Sequence, residues 1–167
     1  IGNTACVHGV GYGGGITYES TNTIERNVIR DNVASSEEDG YGGGVYTGGG
    51  YRTSLRNNTV VRNANTLDPI EGGAGSGIYW GTSAGSYVEN NIVCDHDVVG
   101  SDGIGAHAAI AFTIGYNAFD GNAVANTNAL ITSQYEQLGD PRFTDAAAGD
   151  FTLLYDSPCI ETGNPAT

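Results

Sequence analysis

The chain has no lysine and no methionine, and it carries a single tryptophan and only four prolines. Its six basic residues stand against 19 acidic ones, for a net charge of −13. Binding a phosphate backbone requires a positive face, so nucleic acid is excluded as a partner, and an anionic membrane surface with it. No apolar run approaches the roughly 18 residues of a membrane-spanning segment. Long amphipathic helices are missing as well. The 27 glycines oppose them, since each costs about 1 kcal/mol in a helix interior. At 167 residues the chain is one domain by length.

What the chain does have is a repeat. Glycine-rich openings recur as GYGGGI from Gly11, GYGGGV from Gly40, GAGSGI from Gly73 and a looser GIGAHA from Gly103. Each precedes an apolar–x–x–Asn–x–apolar core: Ile24–Ile29, Leu55–Val60, Val88–Val93 and Ile114–Phe119. The openings are 29, 33 and 30 residues apart. Self-similarity at this period means one supersecondary unit stacked on itself. Apolar residues alternate within short runs bounded by Gly, Asn and Ser, so the unit is made of strands.

Strand units repeating in one sense stack in parallel, with rungs about 4.8 Å apart. Equivalent residues then form columns. Two aliphatic columns (Ile24, Leu55, Val88, Ile114 and Ile29, Val60, Val93, Phe119) are expected to face inward, as are Ile16, Val45 and Ile78. Asn27, Asn58, Asn91 and Asn117 form a column whose amides can bond to one another along the stack. Asn32, Asn63, His96 and Asn122 form a second. Residues 1–10 read as an incomplete coil, 11–131 as four coils with a degenerate fourth, and 132–167 as a C-terminal cap or tail. SQYEQLG, Ser133 to Gly139, reads as a short helical turn, and short strands are expected around Arg142–Thr144 and Phe151–Leu154.

These repeats resemble those of right-handed parallel β-helix proteins, the pectate-lyase-like superfold. The stretch GDPRFTDAAAGDFTLLYDSPCIETGNP, Gly139 to Pro165, is similar to the ending "DPxF…GDFxL…SPxI" of secreted bacterial surface proteins of that type. Cys159 departs from the small residue usual there. The resemblance implies an all-β, single-stranded right-handed solenoid of about four coils with a C-terminal closing segment. It also implies an extracellular or cell-surface location, with Ile1 produced by processing of an exported precursor. It does not imply one activity, because the superfold hosts many.

Three candidate sites follow. Acidic loops place Asp39, Glu71, Asp95, Asp97 and Asp102 near the coil edges, where calcium would relieve the repulsion between stacked carboxylates. Solvated acidic loops would look the same in sequence. Tyr46 and Tyr79, with Trp80 beside them, are expected on the outer face as a strip able to contact carbohydrate or a protein partner. Tyr12 and Tyr41 are expected inward or at corners. Three cysteines cannot all pair in one chain. Cys6 and Cys94 in different coils would lie beyond disulfide reach, whereas Cys94 could meet Cys159 if the tail folds back. Cys6 and Cys159 could instead meet between molecules, or all three could stay reduced.

Catalysis is the weakest reading. A lyase on this fold would need a base that no lysine can supply here. A glycosidase would need paired carboxylates, for which only Asp95 and Asp97 suggest themselves. The expectation is therefore a non-catalytic extracellular structural protein that stacks on itself head to tail into a filament. The competing expectation is a module that binds or cleaves extracellular polysaccharide.

Overall fold

The computed structural model describes residues 1–49, 52–68, 73–81, 86–96, 102–107 and 114–166. Glu71 and Asp97, two of the proposed calcium ligands, lie outside them. The described chain is all-β, wound into a parallel β-helix.

Five parallel sheets run along the stack. Ile16–Tyr18, Val45–Thr47, Ile78–Trp80 and Ile104–Ala106 form one wall. Asn22–Glu25, Thr53–Arg56, Tyr87–Glu89, Ile114–Gly115 and Ser133–Gln134 form the next. The third wall holds Val28–Arg30, Thr59–Val61, Ile92–Cys94, Ala118–Asp120 and Gln137–Leu138. Two three-stranded sheets complete the circuit: Thr4–Cys6 with Val33–Ser35 and Ala64–Thr66, and the glycine strands Gly11–Tyr12, Gly40–Tyr41 and Gly73–Ala74. Register is one residue to its equivalent throughout: Ile24 pairs with Leu55, Leu55 with Val88, and Val88 with Ile114. The three expected aliphatic columns meet in one core, and Trp80 joins them.

Corners are set by a pair of residues. Arg26, Asn57, Asn90 and Tyr116 all have φ between 55° and 59°, and each precedes an Asn of the first column. Asp31, Arg62 and Asp95 repeat this before the second column, with φ of 58°, 51° and 57°. A left-handed residue turns the strand sharply but costs a non-glycine residue about 1–2 kcal/mol. The following Asn compensates. Asn58 Oδ1 accepts both the backbone N–H and the side-chain N–H of Asn27, each at 3.1 Å. Its own Nδ2 donates to Ile24 O at 2.9 Å and to Asn91 Oδ1 at 3.0 Å. Asn91 relates to Asn117 in the same way. The second ladder runs from Asn3 through Asn32 and Asn63 to His96.

Two sequence expectations are corrected here. Ser133–Gln134 and Gln137–Leu138 are strands, not a helical turn. Tyr135 between them has φ 55° and stacks on Tyr116 at 4.7 Å, so SQYEQL is a fifth rung with Ser133 at the first aliphatic position, Glu136 at the Asn position and Leu138 kept at the second aliphatic one. The fourth coil is also less degenerate than its opening suggests. Ile104 pairs with Ile78, so Gly103 is the equivalent of Gly77, the last glycine of an opening and not the first. On that alignment the spacing is regular: Leu55, Val88 and Ile114 each follow Gly44, Gly77 and Gly103 by 11 residues.

The tail forms an antiparallel hairpin, Phe143–Asp145 with Asp150–Leu153, laid against the flank of the first two coils. Arg62 holds it there. Its Nε bonds Asp31 at 2.8 Å, its Nη1 donates to Ala146 O at 2.8 Å, and its guanidinium lies 5.3 Å from the Phe151 ring centroid.

Asn58 is buried and uses both amide hydrogens and its Oδ1, so Asn58→Ala strands several groups at once. We expect it to lower unfolding free energy by about 3 kcal/mol, while Asn27→Ala, at the exposed end of the ladder, costs about 1 kcal/mol or less. Urea denaturation of the two variants compares them, and equal losses would mean that the ladder does not brace the corners.

Candidate functional site

Two tyrosine columns meet on the outer surface. Tyr12 and Tyr41 lie on the glycine strands, and Tyr46 and Tyr79 on the neighbouring wall. The link between the two sheets is the glycine run, where Gly13, Gly42 and Gly75 have φ of +64°, +68° and +62°. That left-handed turn breaks the alternation of the strand, so Tyr12 and Tyr41 do not share the inward face of Ile16 and Val45. They point outward beside Tyr46 and Tyr79, so of the two places expected the inward one fails, while each does directly precede the left-handed corner glycine.

The four rings form a block. Tyr12 stacks on Tyr41 at 5.5 Å and 14°, and Tyr46 stacks on Tyr79 at 5.8 Å and 5°. Across the two columns, Tyr12 meets Tyr46 at 4.9 Å and 63°, and Tyr41 meets Tyr79 at 5.0 Å and 59°. Stacked and edge-to-face contacts of this kind add about 0.5–1.5 kcal/mol each beyond buried area. Thr17 ends the second column in the first coil and Gly105 in the fourth. Ala74 ends the first column. With Gly49, Gly81 and His107 the rings line a concavity of about 320 Å3.

Burial grades across the block. Tyr12 is 46% exposed and Tyr79 only 5%. Burial pushes the Tyr79 phenol up to about 12, helped by its three tyrosine neighbours. Burial raises Tyr41 too, with the Asp39 carboxylate adding to it. Tyr46 is raised by burial, then by Tyr12 and Glu19. The phenols of Tyr41, Tyr46 and Tyr79 therefore stay neutral at neutral pH.

Trp80 is not part of this surface. Ile78 points into the core, and two residues on, Trp80 shares its face and is fully buried. Of the carboxylates proposed for calcium, the three among the described residues, Asp39, Asp95 and Asp102, are not gathered into one site. Asp39 precedes the glycine strand that begins at Gly40, and its carbonyl accepts from Gly11. Asp102 sits one rung above Ser76, where its carbonyl accepts the Ser76 N–H. Asp95 occupies the corner column of Asp31 and Arg62, on another side of the coil. Among the described residues no three acidic, His or Cys side chains converge as a metal site. Asp95 instead lines a cavity of about 440 Å3 under the tail, with Asp120, Asp140 and Arg142. Arg142 is ion-paired there to Asp156 at 2.6 Å.

His96 is the feature whose chemistry the sequence did not disclose. It takes an Asn position in the second ladder, fully buried, and its Nδ1 accepts the Asn63 N–H at 3.1 Å. Nδ1 must then be unprotonated, and the proton of the neutral ring sits on Nε2. Burial drops this histidine from 6.5 to about 4. Since the folded value lies below the unfolded one, the unfolded chain takes up the proton first. Stability is therefore full above 6.5 and is lost as pH falls toward about 4, by up to about 3 kcal/mol. Urea titrations across this window should show that slope in the wild type and a flatter one in His96→Asn; identical slopes would assign the acid sensitivity elsewhere.

All three cysteines are free thiols. Cys94 lies on the outward face of its strand, because Val93 points in, yet it is fully buried beside Cys159 and Asp140 of the tail. Burial pushes its thiol well above the ordinary range, with Asp95 and Asp120 adding to it. Native-state alkylation followed by mass mapping should modify the partly exposed Cys6 and Cys159 and spare Cys94 until denaturant is added. Rapid labelling of Cys94 would show that the tail does not cover it. Set against known proteins, the chain matches no family model, no curated protein and no solved structure, so the chemistry of the tyrosine groove is what bears on function.

Proposed function

We propose that this chain is a non-catalytic carbohydrate-binding β-helix module that works outside the cell, with the tyrosine groove as its binding face. The four-ring block carries the reading. Its rings are held by one another and by a ladder-braced backbone, so little side-chain freedom remains to be lost when a ligand docks. Tyrosine offers a sugar both an apolar ring and a hydroxyl. The repeat and tail resemblance supports an exported location and a surface role.

Glycan-array binding, followed by titration calorimetry on the best ligand, tests this. Tyr12→Ala and Tyr46→Ala should each weaken binding by about tenfold or more with melting temperature little changed for Tyr12, the most exposed ring of the four. Unaltered affinity in both variants would remove the groove as the site. Release of unsaturated sugars would make the chain a lyase.

A structural role with end-to-end stacking is the second reading. Among the described residues, Ile16–Tyr18 and Asn22–Glu25 each have a strand partner along one edge only, and such edges accept a further strand. Light scattering over a concentration series separates the readings: growth in size supports stacking, and a constant monomer mass removes it.

A further inference from the structure

We infer that the tyrosine groove selects sugars bearing a cationic amino group, an oligosaccharide of glucosamine type, over neutral and acidic sugars. The inference rests on the carbohydrate reading above and adds the charge of the ligand to it. Three observations carry it.

The first is the ring block itself. An aromatic face is the negative end of the ring quadrupole and attracts an ammonium group lying within about 6 Å of the ring centroid. Four tyrosine rings converge here, their centroids within 5.8 Å of their stacked or crossed neighbours. The groove is about 320 Å3, within the size range of small-ligand sites.

The second is the placement of carboxylates. Asp39 interacts with the Tyr41 side chain by hydrogen bonding and by charge, and the exposed Glu19 acts on Tyr46. Each tyrosine column of the second coil thus has an acid at its edge. A phenol donating to a carboxylate turns more of its electron density toward the ring and makes the face more attractive to a cation.

The third is the scarcity of opposing charge. Among the described residues lining the groove, His107 is the one basic side chain. The whole chain carries −13, so its field draws cationic ligands in and turns anionic ones away. A uronate chain would meet this field with no cation to bridge it.

The test is calorimetry at neutral pH with four probes: a glucosamine hexamer, its fully N-acetylated counterpart, a galacturonate hexamer, and tetramethylammonium chloride. The expected result is that the glucosamine hexamer binds about tenfold tighter than the acetylated one, with no galacturonate binding. Its affinity should fall in high salt and in Asp39→Asn, and by about tenfold or more in Tyr12→Ala. Circular dichroism and melting of Asp39→Asn check that the fold is kept. Equal binding of the amino and acetylated hexamers overturns the charge preference and leaves the carbohydrate reading standing. Tetramethylammonium binding as tightly as the hexamer overturns the sugar and leaves a small-cation site. If no hexamer binds, both readings fall together.

Discussion

The corner made by a left-handed residue followed by asparagine is the constraint on which the rest of this molecule depends. A β-helix must turn several times in each coil, and turning a strand sharply costs conformational energy at every rung. Here the cost at each corner is met by the residue that follows it. Asn58 and Asn91 each accept a backbone N–H of the rung below, donate to a carbonyl of that same lower rung and donate to the amide of the rung above. The buried amides of Asn58 and Asn91 are satisfied, and in low dielectric a satisfied network strengthens while a broken one is severely penalised. The corners are therefore held as a set, and the walls between them can be short, most of only three residues.

The glycines answer to the ladder. A Cβ on Gly44 would lie 3.0 Å from Asn63 Nδ2 and 2.6 Å from Gly77 O, and one on Gly77 would lie 2.5 Å from His96 Nε2. The glycine run thus passes directly over the second ladder, with no room for a side chain between them. This pinches the coil on one side and leaves the aliphatic core on the other, between the three walls. It also sets the groove. The left-handed glycine turn swings Tyr41 outward next to Tyr46, so a device that lets the backbone clear an amide also gathers tyrosines from two sheets.

Inward residues were legible in the sequence because their spacing is what defines the repeat. The columns through Leu55 and Val60, and both Asn columns, could be read directly since stacking requires one residue type per column. Outward positions carry no such requirement, and reading there failed for identifiable reasons. Trp80 was placed outside because it adjoins Tyr79, although parity with Ile78 sends it inward. Parity offered Tyr12 and Tyr41 an inward place or a corner, and the inward one fails because parity does not survive a turn at positive φ. The rung at Ser133–Leu138 escaped detection because it keeps the backbone of the repeat but, of its side-chain signature, only Leu138 in register with Phe119. Only its stacked Tyr135, on the left-handed corner above Tyr116, betrays it, and sequence does not show φ.

Substitution within the columns then acquires different meanings on the two sides of the wall. Outward, the exchange of Thr17 for Tyr46 and of Tyr79 for Gly105 changes the surface without touching the core, so a binding face can be confined to three coils while folding remains uniform. Inward, the exchange of asparagine for His96 has a consequence, because the ladder now contains a group that titrates. His96 Nε2 lies against Gly77, immediately before the strand Ile78–Trp80 that carries Tyr79. A proton at Nδ1 would remove the acceptor for the Asn63 N–H and place an unpaired charge in the core. The rung most exposed to that loss is the one holding the most buried ring of the groove. Acid is thus felt first where the tyrosine block is anchored, and the block's outer ring, Tyr12, stacked on Tyr41 two rungs away, is affected only through its neighbours.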